Sequence, residues 1–236
     1  MIYITGDTHG DILRFRTEEI DRLTADDVLI VCGDFGMLFY PKSDRTGQNA
    51  DKMKLDELAQ KPFDLLFIDG NHENFDEIYS YPETEKYGNT VHKIRDNIFH
   101  LERGRIYNIQ QQTFFTFGGA YSMDKYRRQE GYSWWCEELP CDEEYKRGAA
   151  ALKEVGFKVD YIITHTAPQQ IIRQLGYTPV SKDAELTGYL EWIMYETDFK
   201  KWFFGHFHED RDMPLSEKCN FRALFCDMAV INDGEG

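Results

Sequence analysis

Five short apolar runs in this sequence each end in side chains that bind divalent metals. "IYIT" (2–5) leads into "GDTHGD", "VLIVC" (28–32) into "GDFG", and "DLLFI" (64–68) into "DGNHE". "YIIT" (161–164) leads into "HTAP" and "WFF" (202–204) into "GHFH". The donors so placed are Asp7, His9, Asp34, Asn71, His165, His206 and His208, with His72 beside Asn71. Five of the seven histidines fall at these points, and only His92 and His100 lie elsewhere. A single aspartate or histidine after a strand is most often a turn former or a satisfied polar group. Five in succession, all where open α/β sheets collect their sites, point to one shared centre.

The donor types narrow the chemistry. Carboxylate, imidazole and amide oxygen suit Mn, Fe or Zn, and the lack of thiolate argues against a structural zinc site. Seven donors are too many for one transition ion but suit two ions that share a carboxylate. Two-metal centres, with ions about 3.5–4 Å apart, recur in hydrolytic and phosphoryl-transfer enzymes. His72, next to an inferred ligand, is left free to donate a proton. His206 and His208 would face the same side if the chain stayed extended past Gly205.

These residues need strands to carry them. Length, β-branching and the following glycines make each of the five runs a strand. Between them, residues 11–23, 143–155 and 183–196 show helical spacing, with Ile12, Phe15, Ile20 and Leu23 on one face of the first. A hairpin is expected at 105–109 and 114–120, and more strand at 221–231. Residues 75–87 read as scaffold and loop, the acidic stretch 137–144 as a solvated helix start, and the tail "NDGEG" as mobile. Strands that alternate with helices early, and form hairpins later, predict an α/β fold with mixed sheets. No repeat or linker divides the chain, so 1–236 is read as a single domain.

The chain has 236 residues and a formal net charge of −15. That acidity argues against a broad, non-specific nucleic-acid or membrane surface, since both are anionic. It does not exclude an anionic substrate, because bound divalent ions reverse the local sign. The five cysteines are scattered without a metal-ribbon or redox spacing and read as free thiols. The N-terminus lacks a secretory pattern and no apolar run approaches the length of a membrane span, so a cytoplasmic protein is expected.

As an ordered set, "GDTHG", "GDFG", "GNHE", "THTAP" and "GHFH" resemble the five-block signature of the calcineurin-like metallophosphoesterases, across residues 6–208. The resemblance implies a four-layer α/β/β/α sandwich, with two mixed β-sheets flanked by helices and the metal site at the strand ends. It implies two divalent ions, Mn²⁺ first with Fe or Zn as alternatives. Asp7, His9 and His208 would hold one ion and Asn71, His165 and His206 the other, with Asp34 bridging. His206 and His208 would then serve different ions. A hydroxide held between the ions would attack phosphorus, and His72 would protonate the leaving oxygen or steady its charge.

Two features bear on the substrate. The protein serine/threonine phosphatase branch follows its "GD" with a second aspartate and an arginine, whereas this chain reads "GDFGMLFY". The missing arginine tilts the expectation toward phosphodiesters, nucleotides or other small phosphate esters, and leaves open what orients His72. Glu73 is adjacent but need not point the same way. Residues 118–140 form a lid-like segment in which Tyr121, Arg127 and Arg128 are candidate substrate contacts. The Trp134–Trp135 pair is read as a packing anchor. A phosphatase-like monoesterase and a non-catalytic scaffold of the same fold are the alternatives. The presence of every expected ligand and of His72 counts against the scaffold. The expected partner is a small phosphorylated or nucleotide substrate, with no membrane, and no interface signature defines an oligomeric state.

Overall fold

The computed structural model describes residues 1–216 and 219–231. The tail 232–236, expected to be mobile, lies outside the described residues. Among the described residues, thirteen strands form two sheets. The strands are β1 (Ile2–Thr5), β2 (Val28–Val31), β3 (Asp64–Phe67), β4 (Glu83–Lys86), β5 (Asn89–Lys93), β6 (Ile98–Leu101), β7 (Arg105–Ile109), β8 (Gln112–Phe117), β9 (Tyr161–Thr164), β10 (Lys201–Phe204), β11 (Arg211–Ser216), β12 (Cys219–Ala223) and β13 (Met228–Ile231). The helices are α1 (Glu18–Asp21), α2 (Arg45–Leu58), α3 (Phe75–Ile78), α4 (Asp142–Glu154), α5 (Gln169–Leu175) and α6 (Ala184–Glu196).

One sheet runs β13-β1-β2-β3-β6-β5-β4 and the other β11-β12-β10-β9-β8-β7. Both are mixed. β1, β2, β3 and β6 are mutually parallel, with antiparallel strands at either flank. β8, β9, β10 and β12 form the parallel centre of the second sheet.

Alternation along each strand builds the layers. In β2, Val28 and Ile30 enter the core between the sheets, together with Phe114, Tyr161 and Phe203 from the other sheet. Leu29 and Val31 face outward into a second core with Ile20, Leu55 and Leu58 from α1 and α2. All four β2 residues are buried, which is why the run shows no polar alternation. A third core packs Phe115, Phe117, Ile162 and Phe204 against Ile171, Ile172, Leu190 and Ile193 of α5 and α6. The stack is helix, sheet, sheet, helix, as the resemblance implied.

Two local expectations differ from the structure, and one helix carried no expectation. Residues 11–23 are not one helix. Asp11 accepts from the amide of Leu13 to start a single 3₁₀ turn, and Thr17 accepts from Ile20 to start α1. Two caps six residues apart stop either piece from propagating. Residues 221–231 break between β12 and β13, where Asp210 accepts from the amides of Phe225, Cys226 and Asp227. Helix α2 was not anticipated. Its buried face offers only Leu55 and Leu58 besides Gly47 and Asp51, too sparse a pattern to stand out.

The ends of β1, β2 and β3 are neighbours in one sheet, and those of β9 and β10 in the other. Their carboxyl ends meet at a single edge of the sandwich, and the five loops described above begin there.

Candidate metal centre

The five loops are sewn together through the ligand side chains themselves. Asp7 is 1% exposed, and its carboxylate accepts from the backbone amide of His206 at 3.0 and 2.9 Å. A Cβ on Gly205 would stand 2.5 Å from Asp7 Oδ2, so the turn has no room for a side chain. Asp34 Oδ1 accepts from the amide of His72 at 2.8 Å. A Cβ on Gly70 would lie 2.1 Å from that same oxygen. The glycines before the ligands are thus places where a carboxylate from another loop rests on bare backbone.

Hydrogen bonds also orient the imidazole and amide donors. His165 Nδ1 donates to the carbonyl oxygen of Cys32 at 2.8 Å, so Nε2 is the atom left for an ion; without one, burial is overcome by Asp34 and Asp7, which push the imidazole up to about 10. That Nε2 is 3.4 Å from Asp34 Oδ1 and 3.1 Å from Asn71 Oδ1. Asn71 donates through Nδ2 to Ser122 Oγ at 3.0 Å, so its carbonyl oxygen faces the cluster.

Two overlapping donor groups result. Asp7, His9 and His208 have ligand atoms mutually within 4.8 Å, and so do Asp7, Asp34 and His165. His9 Nε2 and His208 Nε2 are 2.9 Å apart. Asp34 reaches both groups, with Oδ2 3.8 Å from His9 and Oδ1 3.4 Å from His165. The His206 ring packs edge-on to His165 at 5.1 Å, while the His208 ring lies against His9 at 5.0 Å. The chain does not stay extended through these residues: φ is 67° at His206 and 52° at His208. His9 and Asp34 are left-handed too, at 46° and 49°. Four of the seven predicted ligands therefore hold a backbone conformation that non-glycine residues rarely adopt, and such strain gathers at functional sites.

Electrostatics show what the cluster lacks. Burial pushes the Asp7 carboxyl up, opposed by His165 and assisted by Asp34. Burial acts the same way on Asp34, but His165 overrides it and holds the carboxyl down. Burial lowers His9 to about 4, and lowers His206 to about 3 with help from His165. Two buried carboxylates and four imidazoles thus compete for few protons. A divalent cation answers that competition, because its ligands must be deprotonated. The donor set fits the ions the sequence implied.

Nδ1 of His72 accepts from Arg128 Nη1 at 2.8 Å, and Arg128 Nη2 is 3.4 Å from its Nε2. Burial lowers its pKa, and Arg128 and His165 lower it further against the pull of Asp34. Arg128 is held in turn by Asp124 at 2.8 Å and by the carbonyl of Ser133 at 3.2 Å. Its guanidinium, read from sequence as a phosphate contact, thus lies on the imidazole. Arg127 is exposed, with its guanidinium over the Tyr126 ring at 5.0 Å. Tyr121 is half-buried beneath the Lys125 ammonium at 4.9 Å. The segment is tied down at Ser122 by Asn71, at Glu138 by Lys125 and the amide of Ser122, and at Trp135, whose Nε1 donates to Asp76 at 2.9 Å.

A family model described as calcineurin-like phosphoesterase matches residues 1–210. The chain belongs to the calcineurin-like phosphoesterase family. Members bind divalent metals, and this chain assembles two donor groups suited to them. Among solved structures, the phosphopantetheinyl hydrolase PptH of Mycobacterium tuberculosis is similar, with TM-score 0.52 and 16% identity over 95% of this chain and 89% of that one. The sulfate thiohydrolase SoxB of Thermus thermophilus has TM-score 0.44 and 15% identity over 93% of this chain and 38% of that one. No curated protein sequence matches the chain.

The structure gives places to residues of the calcineurin-like site whose roles the sequence left open or did not mark. Glu73, fully buried, accepts from the amides of Phe35 at 2.7 Å and Gly36 at 3.5 Å, and so braces the loop that carries Asp34. It does not orient His72. Asp69, two residues before Asn71, is gripped by Arg103 at 2.8 Å through Nε and by His100 at 3.1 Å. The Phe225 ring stacks on His208 at 4.4 Å. A cavity of about 260 Å³ beside His9 and His72 is lined by Gly36, Phe39, Tyr40 and Lys54. Lys54 comes from α2, distant in sequence from every motif. Glu73 had a signal, its place in "GNHE"; Lys54 had none.

Proposed function

We propose that the chain is a dinuclear metal-dependent phosphoesterase acting on a small phosphate ester, a nucleotide or a phosphodiester. The observation that carries this is the pair of overlapping donor groups with His72 at their rim. Asp7, His9 and His208 would hold one ion, Asn71, His165 and His206 the other, and Asp34 both. When bound, such ions supply Lewis acidity toward phosphoryl oxygens and a more acidic water.

The chain's own residues do the rest. Arg128 reaches both ring nitrogens of His72, Nδ1 at 2.8 Å and Nε2 at 3.4 Å, and the shorter contact favours the proton on Nε2. From the rim His72 donates that proton, or a hydrogen bond, to the departing oxygen. Lys54 supplies the cation that the missing arginine does not, and Phe39 and Tyr40 offer rings to an ester substituent. Met37 and Leu38, in the stretch where the protein-phosphatase branch places its aspartate and arginine, are buried in the outer core. This supports phosphodiesters and nucleotides ahead of phosphoproteins. Mn²⁺ is the proposed ion, since imidazole and carboxylate predominate without thiolate. A cytoplasmic setting is part of the same proposal, resting on the odd, scattered cysteine set.

The test is hydrolysis of bis(p-nitrophenyl) phosphate and of p-nitrophenyl phosphate by chelated protein, with Mn²⁺ restored, for the wild type and Asp34→Asn. Turnover that returns with metal and disappears in the variant is expected, with the diester favoured. Wild-type protein that takes up no metal would overturn the proposal.

A further inference from the structure

A second set of donors lies outside this centre, in a cavity of about 790 Å³ bordered by Asp69 but by none of the seven ligands. Three of its side chains come from one row of the sheet. Glu83 of β4 pairs with His92 of β5, which pairs with His100 of β6. Paired residues share a face. Glu102, two residues past His100, returns to that face.

The hydrogen bonds of this row leave acceptors without donors. His92 is 5% exposed, and its Nδ1 lies 3.3 Å from the carbonyl oxygen of Tyr81. That contact requires Nδ1–H, so Nε2 carries the lone pair. The lone pair faces Glu102 Oε1 at 3.9 Å. Arg105 binds the other oxygen of Glu102, through Nε at 3.0 Å and Nη2 at 2.9 Å, and leaves Oε1 unclaimed by it. Ligand atoms of Glu83, His92 and Glu102 are mutually within 4.8 Å.

An independent observation comes from His100. Its Nε2 is engaged by Asp69 at 3.1 Å, yet its Nδ1 has no partner among the described residues although the residue is only 1% exposed. The ring stacks on His92 at 5.6 Å and lines the same cavity. A buried imidazole nitrogen without a partner marks a place where a donor or a cation belongs.

We infer that Glu83, His92 and Glu102 form a further metal site for a first-row divalent ion, Zn²⁺ above all. An imidazole with its other N–H on a backbone carbonyl, plus two carboxylates, is a donor set zinc accepts. Bonds of about 2.0–2.2 Å allow donor atoms at most about 4.4 Å apart. Closing the remaining gap falls to Glu83, which is exposed. The bound ion ties edge strand β4 to β5 and to the chain leaving β6, so it acts as a clasp rather than as part of the hydrolytic centre.

The test is zinc stoichiometry of chelator-stripped protein, by competition with a chromophoric chelator, for the wild type and Glu83→Gln/Glu102→Gln. Both exchanges preserve shape, and His92→Gln serves as a second variant. The expected result is one zinc fewer per chain in each variant, with a melting temperature that no longer rises as far on zinc addition and unchanged diester turnover. Equal zinc uptake by wild type and variants overturns the inference. A failure of the dinuclear reading lowers the count in all proteins alike and leaves the difference between them at one, so the two outcomes are distinct.

Discussion

Arg128 donates to Nδ1 of His72 at 2.8 Å and lies 3.4 Å from its Nε2, so a residue of the 118–140 segment biases the tautomer of the imidazole at the rim of the candidate metal centre. His72→Ala is expected to lower kcat on a diester by about 100- to 10,000-fold, the usual worth of a general acid. Arg128→Ala should cost less, about 10- to 100-fold in kcat, in the range of outer partners that orient a site. Arg128→Lys should recover part of the loss, because a single ammonium can still reach Nδ1. Steady-state kinetics of the three variants checks this. A rise in KM at unchanged kcat for Arg128→Ala would instead assign Arg128 to substrate.

Lys54 lines the cavity beside His9 and His72. Its ammonium should matter more to a dianionic monoester than to a monoanionic diester. A hydrogen bond to a charged group is worth about 1.5–3 kcal/mol, which is about 10- to 100-fold. Lys54→Gln is therefore expected to raise KM for a monoester within that range, with a smaller rise for a diester. Parallel KM measurements on the two nitrophenyl esters decide it.

Gly70 has no room for a methyl group, since its Cβ would stand 2.1 Å from Asp34 Oδ1. Gly70→Ala should push that carboxylate aside and halve the metal bound at the proposed dinuclear centre. Bound Mn²⁺ per chain, counted by equilibrium dialysis, reads the loss directly. A variant that keeps both ions would show that Asp34 is not held where the geometry places it.

Asp183 is buried near the start of α6 with Oδ1 unpartnered among the described residues, and burial pushes its pKa up to about 6. A folded-state pKa above the unfolded value means that the native chain binds more protons between the two. Stability contributed by this group is present below the unfolded value, near 3.8, and is lost as pH rises through about 6. Asp183→Asn is expected to raise the melting temperature at pH 7.5, with the gain fading to nothing by pH 4. Calorimetry at both values checks the sign.

The strand ends were legible because burial on both faces writes a continuous apolar run, and a ligand must follow immediately where the run stops. Asp7, Asp34 and His165 could be read that way. The course of the chain after Gly205 could not. Extended spacing puts His206 and His208 on one side, but left-handed backbone at both turns their rings toward different neighbours. The partner of His72 was illegible for another reason. Arg128 lies 56 positions away, and its placement depends on anchors such as Trp135 on Asp76. Arg103 was unmarked as well, though at 2% exposure it neutralises both Asp69 and Glu144. A buried ion pair leaves no periodic trace.

The amide of His206 bonds to a carboxylate 199 positions earlier in the chain. During synthesis the first three loops therefore emerge from the ribosome and wait, their carboxylates exposed, until the loop that carries His206 has followed. A nascent chain stopped before residue 205 would have Asp7, Asp34, Asn71 and His165 but not the loop that closes over them. Metal capture at the proposed centre would thus wait for the fifth loop, and a product interrupted before it should fail to retain its ions.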